Sequence, residues 1–445
     1  MLRGFRLGNH RSFADERELL LMPSRSDSDV PVVPVTAIFG ANASGKSNLL
    51  NGLGFMRDAV LQSFARWDDE GIPRKPFRLG DGYRTKPSVF VVELVIDEVR
   101  YTYGFELDDV VVLEEWLYSY PEGRRRVLFE RSGSEITFGS TVRGDLHSKL
   151  EVLEELTRPN ALFLSACARL KLELLMPVYN WFRHQLRIRC ASDFHSTRHV
   201  AEKVAELLKR DPQNSTRLVA LLAAADVGIT DIVVKKSKDS VVCGLDRIAR
   251  EIVKIERLRD MNSDESEELA TRLESLYAVQ SLLRHSVDQD HLELAFLHGN
   301  SGEAFGIGEE SAGTRSWLEL LPMALEALDS GLVVVVDEID TSLHPLLTAR
   351  LIDLFQSRET NPNSAQLIFT THDVSLLGTM LGDEVLGRDQ VWFVEKEAGG
   401  QSALYPLTDF KPRRDQNTER RYLGGSYGAI PVLDPQHFID AVRPR

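Results

Sequence analysis

Gly40-Ala41-Asn42-Ala43-Ser44-Gly45-Lys46-Ser47 has the spacing GxxxxGK[ST]. Glycines at 40 and 45 let successive backbone N–H groups turn inward around a phosphate. A lysine ammonium then reaches the outer phosphate oxygens, and a serine hydroxyl is a ligand for Mg²⁺. Such a loop works only where it joins a buried strand to a helix. Just before it, Val32, Val33, Val35, Ala37, Ile38 and Phe39 make a short apolar run that reads as a buried strand. Just after it, Leu49, Leu53, Met56, Val60 and Phe64 recur at helical spacing. The local sequence therefore predicts strand, glycine-bearing loop and helix in that order.

A second element stands far along the chain. Leu332-Val333-Val334-Val335-Val336 is a fully apolar run ending in Asp337-Glu338. At the end of a buried strand, the first carboxylate can hold Mg²⁺ and the second can polarise a water for attack on a γ-phosphate. Between the two elements the pattern changes several times. From Ser88 to Ile136, β-branched and aromatic residues broken by Asp, Gly and Glu turns predict an antiparallel sheet. Helical spacing follows from about His147 to Arg183 and from Val200 to Ala225, with a strand at Ile229–Val234. Ile248, Ile252 and Ile255 form one stripe and Leu269, Leu273, Leu276 and Leu283 another, with Asn262-Ser263-Asp264-Glu265 as turn and cap residues. These predict either a short projecting helical hairpin near 244–285 or two ordinary packing helices. At ~1.5 Å per residue its arms would reach only about 25–35 Å.

Three smaller motifs flank the carboxylates. Glu310-Ser311-Ala312-Gly313-Thr314 opens a helical stretch, where a hydroxyl and free N–H groups suit either a simple N-cap or a phosphate. Asp340-Thr341-Ser342-Leu343-His344-Pro345 forms a loop before the next helix, and Leu367–Thr371 is a strand ending at His372, whose imidazole can hydrogen-bond a γ-phosphate.

Taken together, these motifs resemble the SMC/RecF-type ABC ATPases. Within that group they resemble prokaryotic ATPases of phage-defence and abortive-infection operons, relatives of the ATPase half of the OLD nucleases. The stretch Tyr422-Leu423-Gly424-Gly425-Ser426-Tyr427-Gly428-Ala429-Ile430-Pro431 is similar to that subgroup as well. The resemblance implies an α/β fold: a split ABC-type head of the P-loop NTPase kind, with a mixed sheet, an antiparallel β subdomain and a helical subdomain. Residues 1–165 would form the N-terminal part of the head, 166–290 the helical region, and 291–445 the C-terminal part. The implied cofactors are ATP and Mg²⁺. Gly40, Asn42, Gly45, Lys46, Ser47 and Asn48 would bind nucleotide, with Ser47 and Asp337 on Mg²⁺. Glu338 would be the catalytic carboxylate, His372 the switch and Asp340 and Ser342 the D-loop. Ser311 and Gly313 would act across a homodimer or higher homo-oligomer. The signature departs from LSGGQ at Glu310, Ala312 and Thr314, and Arg169 stands near where a Q-loop glutamine belongs.

Bulk composition narrows the partners. A net charge of -14 opposes a surface that holds nucleic acid everywhere by charge. Local basic stretches at 124–126, 183–189 and 411–421 leave nucleic acid possible. Cys167, Cys190 and Cys243 are spread as neither a disulfide framework nor a zinc site. With no apolar run of membrane-helix or signal length, a cytoplasmic chain with no membrane partner is expected. Glu395 lacks the paired acids of a Toprim nuclease, and Asp193, His195 and His199 read as a polar loop rather than a metal cluster. The expected role is an ATPase that senses or regulates a separate effector, a nuclease or toxin encoded nearby. The alternatives are a RecF-like repair ATPase that clamps DNA as an ATP-dependent dimer, and a nucleotide-gated scaffold, which Glu338 opposes.

Overall fold

The computed structural model describes the chain apart from 25–30, 68–70, 141–149, 151, 171, 191–196, 212, 226, 238–247, 257–271, 274, 278–290, 300–302, 383, 412–416, 432–433 and 444–445. It divides into two compact units, 1–194 with 323–445, and 195–322.

Two sheets build the first unit. Strands β1 (Leu2–Gly8) and β2 (Arg17–Leu20) precede β3 (Val35–Phe39), and β4 (Ser88–Ile96), β5 (Val99–Leu107), β6 (Val112–Tyr120), β7 (Arg126–Ser132) and β8 (Glu135–Phe138) follow it. All but β3 form a seven-stranded sheet in the order β2-β1-β4-β5-β6-β7-β8, antiparallel throughout. The expected sheet is there, extended at one edge by β1 and β2. Its β4–β5 hairpin turns on Asp97 and Glu98, both at positive φ (48° and 64°), as the right-handed twist of paired strands favours.

The other sheet is mostly parallel. It contains β3, β9 (Leu186–Arg189), β13 (Val333–Val336), β14 (Gln366–Thr370), β15 (Val391–Lys396) and β16 (Ser402–Pro406), in the order β16-β15-β3-β14-β13-β9. Only β16 runs antiparallel to its neighbour. Strands β3, β13 and β14 are buried at every position, so they are mostly apolar, with Thr36, Gln366 and Thr370 as buried polar exceptions. Helix Lys46–Arg66 buries Leu49, Leu50, Leu53, Met56 and Val60 in a core shared with Phe5, Leu7, Phe90 and Phe105 of the antiparallel sheet. Each such aliphatic side chain contributes about 1.5–3 kcal/mol by leaving water.

The helical reading of His147–Arg183 holds in short pieces, with 147–149 outside the described residues. Beyond 151 the structure places a helical turn or two before Thr157, then the short helices Phe163–Cys167 and Met176–Asn180 and one wide turn at Trp181–Gln185 that runs into β9. Every residue from Ala161 to Cys167 is buried, so apolar residues there follow all-round burial rather than one helix face. Glu115 of β6, itself fully buried, accepts the backbone N–H groups of Phe163 (2.6 Å) and Leu164 (3.0 Å) and the Tyr103 hydroxyl (2.9 Å). The Arg131 guanidinium stands 3.8 Å away. A carboxylate from the antiparallel sheet thereby holds the start of a helix.

In the second unit, helices Thr197–Arg210 and Gln213–Ala224 precede β10 (Ile229–Ser237), β11 (His291–His298) and β12 (Ala304–Gly306), which pair in that order. The strand expected at Ile229–Val234 lies within β10. Ile252, Ile255 and Leu273 are buried together, with Ile248 and Leu276 against them, so the two expected stripes meet. Leu269, Leu283 and the turn 262–265 lie outside the described residues. Helix Ala312–Ser330 opens in this unit, and the division falls at its internal Pro322.

Candidate functional site

The glycine loop leaves the C-terminal end of β3, at the carboxyl edge of the parallel strands where open α/β sheets bind ligands. Gly45 has φ 117°, and a Cβ there would strike Ser402 Oγ and lie 2.7 Å from Ser12 Oγ. At Gly40 a Cβ would run into the Val394 carbonyl oxygen of the adjacent β15. The loop is braced from behind. Ser402 Oγ donates to the Ser44 carbonyl at 2.5 Å and lies 2.8 Å from Ser12 Oγ, which also accepts from Asn48 Nδ2 at 2.8 Å. Asn48, expected on nucleotide, thus spends its amide on the brace. Asn42, Ala43 and Ser47 face solvent at the open edge.

Lys46 is buried, and its Nζ donates to the carbonyls of Gly40 (2.9 Å) and Ala41 (3.1 Å). Burial pulls its pKa down to about 8, against the opposing attraction of Glu338, Asp337 and Asp340. Those three carboxylates are brought there by β13. Ser47 Oγ donates to Asp337 Oδ1 at 3.0 Å across 290 residues of sequence. Thr370, at the end of β14, donates to the same oxygen at 2.7 Å and accepts the Glu338 N–H at 2.7 Å. Strand β14 lies between β3 and β13, so its tip falls between loop and carboxylates. The Ser47 hydroxyl and Asp337 carboxylate are hard oxygen donors of the kind Mg²⁺ takes one or two of, with water and phosphate oxygens completing the shell. The residues fit that ion.

Glu338 and Ser342 both hold left-handed backbone, at φ 51° and 66°. Non-glycine residues keep such conformations only where their surroundings impose them, commonly at functional sites. Glu338 is half-buried, and its carboxylate accepts from Thr341 Oγ1 at 3.3 Å. His372 is exposed at the end of β14, with its backbone N–H 3.4 Å from both Asp340 carboxylate oxygens. Partial desolvation of the imidazole and the Lys46 charge lower its pKa, with Asp340, Glu338 and Asp337 opposing, which favours a neutral imidazole at pH 7. The structure therefore brings Gly40, Gly45, Lys46, Ser47, Asp337, Glu338, Asp340 and His372 into one region. Sequence reasoning placed Thr370 in the strand before His372 without giving it a role, and passed over Ser12 and Ser402.

Ser311 and Gly313 belong to the second unit. There Ser311 Oγ accepts the Thr314 N–H at 3.1 Å, as an N-cap does, and the buried Glu310 meets His298 Nε2 at 2.8 Å. Arg169 sits in the short turn Ala168–Leu170. Glu395 takes the Tyr405 hydroxyl at 2.9 Å, a structural bond. Of the basic stretches, Arg125 pairs with Glu130 (2.9 Å) and lies over the Tyr118 ring, and Arg187 pairs with Glu326 (3.3 Å). Residues 412–416, Cys243, Asp193 and His195 lie outside the described residues. Among the described residues no group of three or more His, Cys, Asp or Glu could hold a metal by itself, and no helix is long and apolar enough to cross a membrane.

A glycine loop between a central parallel strand and a helix, facing carboxylates from a second strand, defines a mixed α/β nucleotide-binding domain of the AAA type. The chain belongs to the family described as "AAA domain, putative AbiEii toxin, Type IV TA system", whose model matches residues 35–159 and 180–378. No curated protein matches it. Among solved structures it is similar to an Smc head bound to the C-terminal winged-helix domain of ScpA, at 14% identity and TM-score 0.42, covering 92% of this chain and 99% of that one. It is also similar to an Smc head domain with a coiled coil and joint derived from Pyrococcus yayanosii, at 13% identity and TM-score 0.33, with the same coverage.

Proposed function

We propose that the chain binds and hydrolyses ATP and uses that cycle to control a separate effector in an abortive-infection or toxin–antitoxin setting. The observation that carries the hydrolytic part is the meeting of Ser47 and Asp337 at 3.0 Å, beside the buried Lys46 ammonium and the strained Glu338. Backbone N–H groups between Gly40 and Ser47 surround the β-phosphate, and Lys46 offsets charge on the β and γ oxygens. Ser47 and Asp337 would hold Mg²⁺, which neutralises charge on the phosphate oxygens when bound with the nucleotide. Glu338 accepts a proton from the attacking water. A neutral His372 donates a hydrogen bond to a γ-phosphate oxygen.

The regulatory part is supported by the family's description, which names a putative toxin of a type IV toxin–antitoxin system. The effector would be a nuclease or toxin encoded nearby, and the working form a homodimer or larger homo-oligomer that borrows Ser311 and Gly313 from the neighbouring copy. Two measurements test this. Wild-type protein should turn over ATP with Mg²⁺ and Lys46→Ala should not. Co-expression with the products of adjacent genes should give a complex whose yield changes with ATP. Turnover unaffected by Lys46→Ala contradicts the site, and steady turnover with no partner in either nucleotide state contradicts the regulatory role.

A further inference from the structure

We infer that Thr370 is the positioning residue that fixes the carboxylate pair. The inference rests on the ATPase reading above. A threonine hydroxyl has one proton. Because the Glu338 N–H can only donate, Thr370 Oγ1 must accept from it at 2.7 Å and send its own proton to Asp337 Oδ1, also at 2.7 Å. The Thr370 carbonyl in turn accepts the Ile339 N–H at 3.1 Å. One residue of β14 thereby holds three successive residues of the segment leaving β13.

Several features make this bond more than local packing. Thr370 is fully buried, so water does not compete for its hydroxyl. Glu338 sits at φ 51°, a conformation its side chain disfavours, and the Thr370 bond is made by that residue's own amide. Asp337 Oδ1 accepts from both Thr370 and Ser47, which fixes the carboxylate's orientation toward the glycine loop. Loss of the hydroxyl leaves the Glu338 N–H unpaired and frees the residue to relax out of the left-handed region. The carboxylate that must face the attacking water then loses its aim, although the phosphate loop is untouched.

The test compares Thr370→Val, which keeps shape and removes the hydroxyl, with Thr370→Ser, which keeps the hydroxyl. For T370V, kcat should fall about 10- to 100-fold, the cost of misplacing a reacting group by roughly 1 Å. The Kd for a fluorescent ATP analogue measured in EDTA should stay within about threefold, since the loop is intact. In nucleotide-free protein, amide hydrogen exchange of the peptide containing Glu338 should rise in T370V and not in T370S, and T370S should recover most of kcat. The inference is overturned if folded T370V keeps wild-type kcat, if T370S is as impaired as T370V, or if nucleotide affinity falls in step with kcat. Should T370V not fold, T370S and T370C are compared. Serine should retain turnover and cysteine, a weak donor, should lose most of it; equal turnover overturns the inference. A wild-type protein without turnover removes the ATPase reading itself.

Discussion

Lys46 is a cation folded into a buried position beside three carboxylates, and its pKa of about 8 records the cost of that burial. Above about pH 8 the folded, nucleotide-free protein loses this proton, whereas the unfolded chain keeps it to the ordinary value of 10.5. The unfolded state then binds more protons, so this residue's contribution to stability improves as pH rises from about 8 to 10.5. ATP requires the ammonium. Its affinity should therefore weaken above pH 8, approaching about tenfold per pH unit, in a titration of Kd against pH; a flat profile to pH 9.5 would contradict the role given to Lys46. Lys46, Ser47, Asp337 and Glu338 were legible because glycine spacing and charges at the end of an apolar run are local signals. Thr370 was not. A threonine ending a strand is ordinary, and its importance arises only because β14 lies between β3 and β13.

Among the elements, the glycine loop depends on its brace as much as on its own residues. Gly45→Ala would place a methyl against Ser402 and Ser12 at φ 117°. It should destabilise the fold by about 1–3 kcal/mol or more and abolish nucleotide binding, seen as a lowered melting temperature that ATP no longer raises. A second element-scale contact is the Glu115 carboxylate at the start of helix Phe163–Cys167. Glu115→Ala leaves the Arg131 charge buried without its carboxylate, and thermal unfolding should report a loss of about 3–5 kcal/mol. Strand β3 and the antiparallel sheet could be read from the sequence because alternation and continuous apolar runs follow directly from burial on one face or two. The region after His147 could not. Where burial surrounds the backbone, as from Ala161 to Cys167, apolar spacing no longer distinguishes one long helix from short turns.

For the whole molecule, the nucleotide-binding class and the α/β character of the domain followed from motifs spread over most of the chain, whereas partners leave no comparable trace in one sequence. The net charge of -14 opposes a surface that holds duplex DNA everywhere by charge, and Arg125 and Arg187 are each paired with a carboxylate of the same chain. Filter binding should therefore show little DNA retained at about 150 mM salt, where screening leaves only short-range contacts. Strong ATP-dependent retention would instead favour a DNA-clamping dimer. The central claim is hydrolysis at Glu338, and single-turnover ATP cleavage by Glu338→Gln, with ATP affinity measured on the same sample, tests it most directly. Cleavage should slow by about 100-fold or more while affinity stays near wild type, and the trapped ATP form should accumulate as a dimer in light scattering. Cleavage at the wild-type rate would show that another group performs the chemistry.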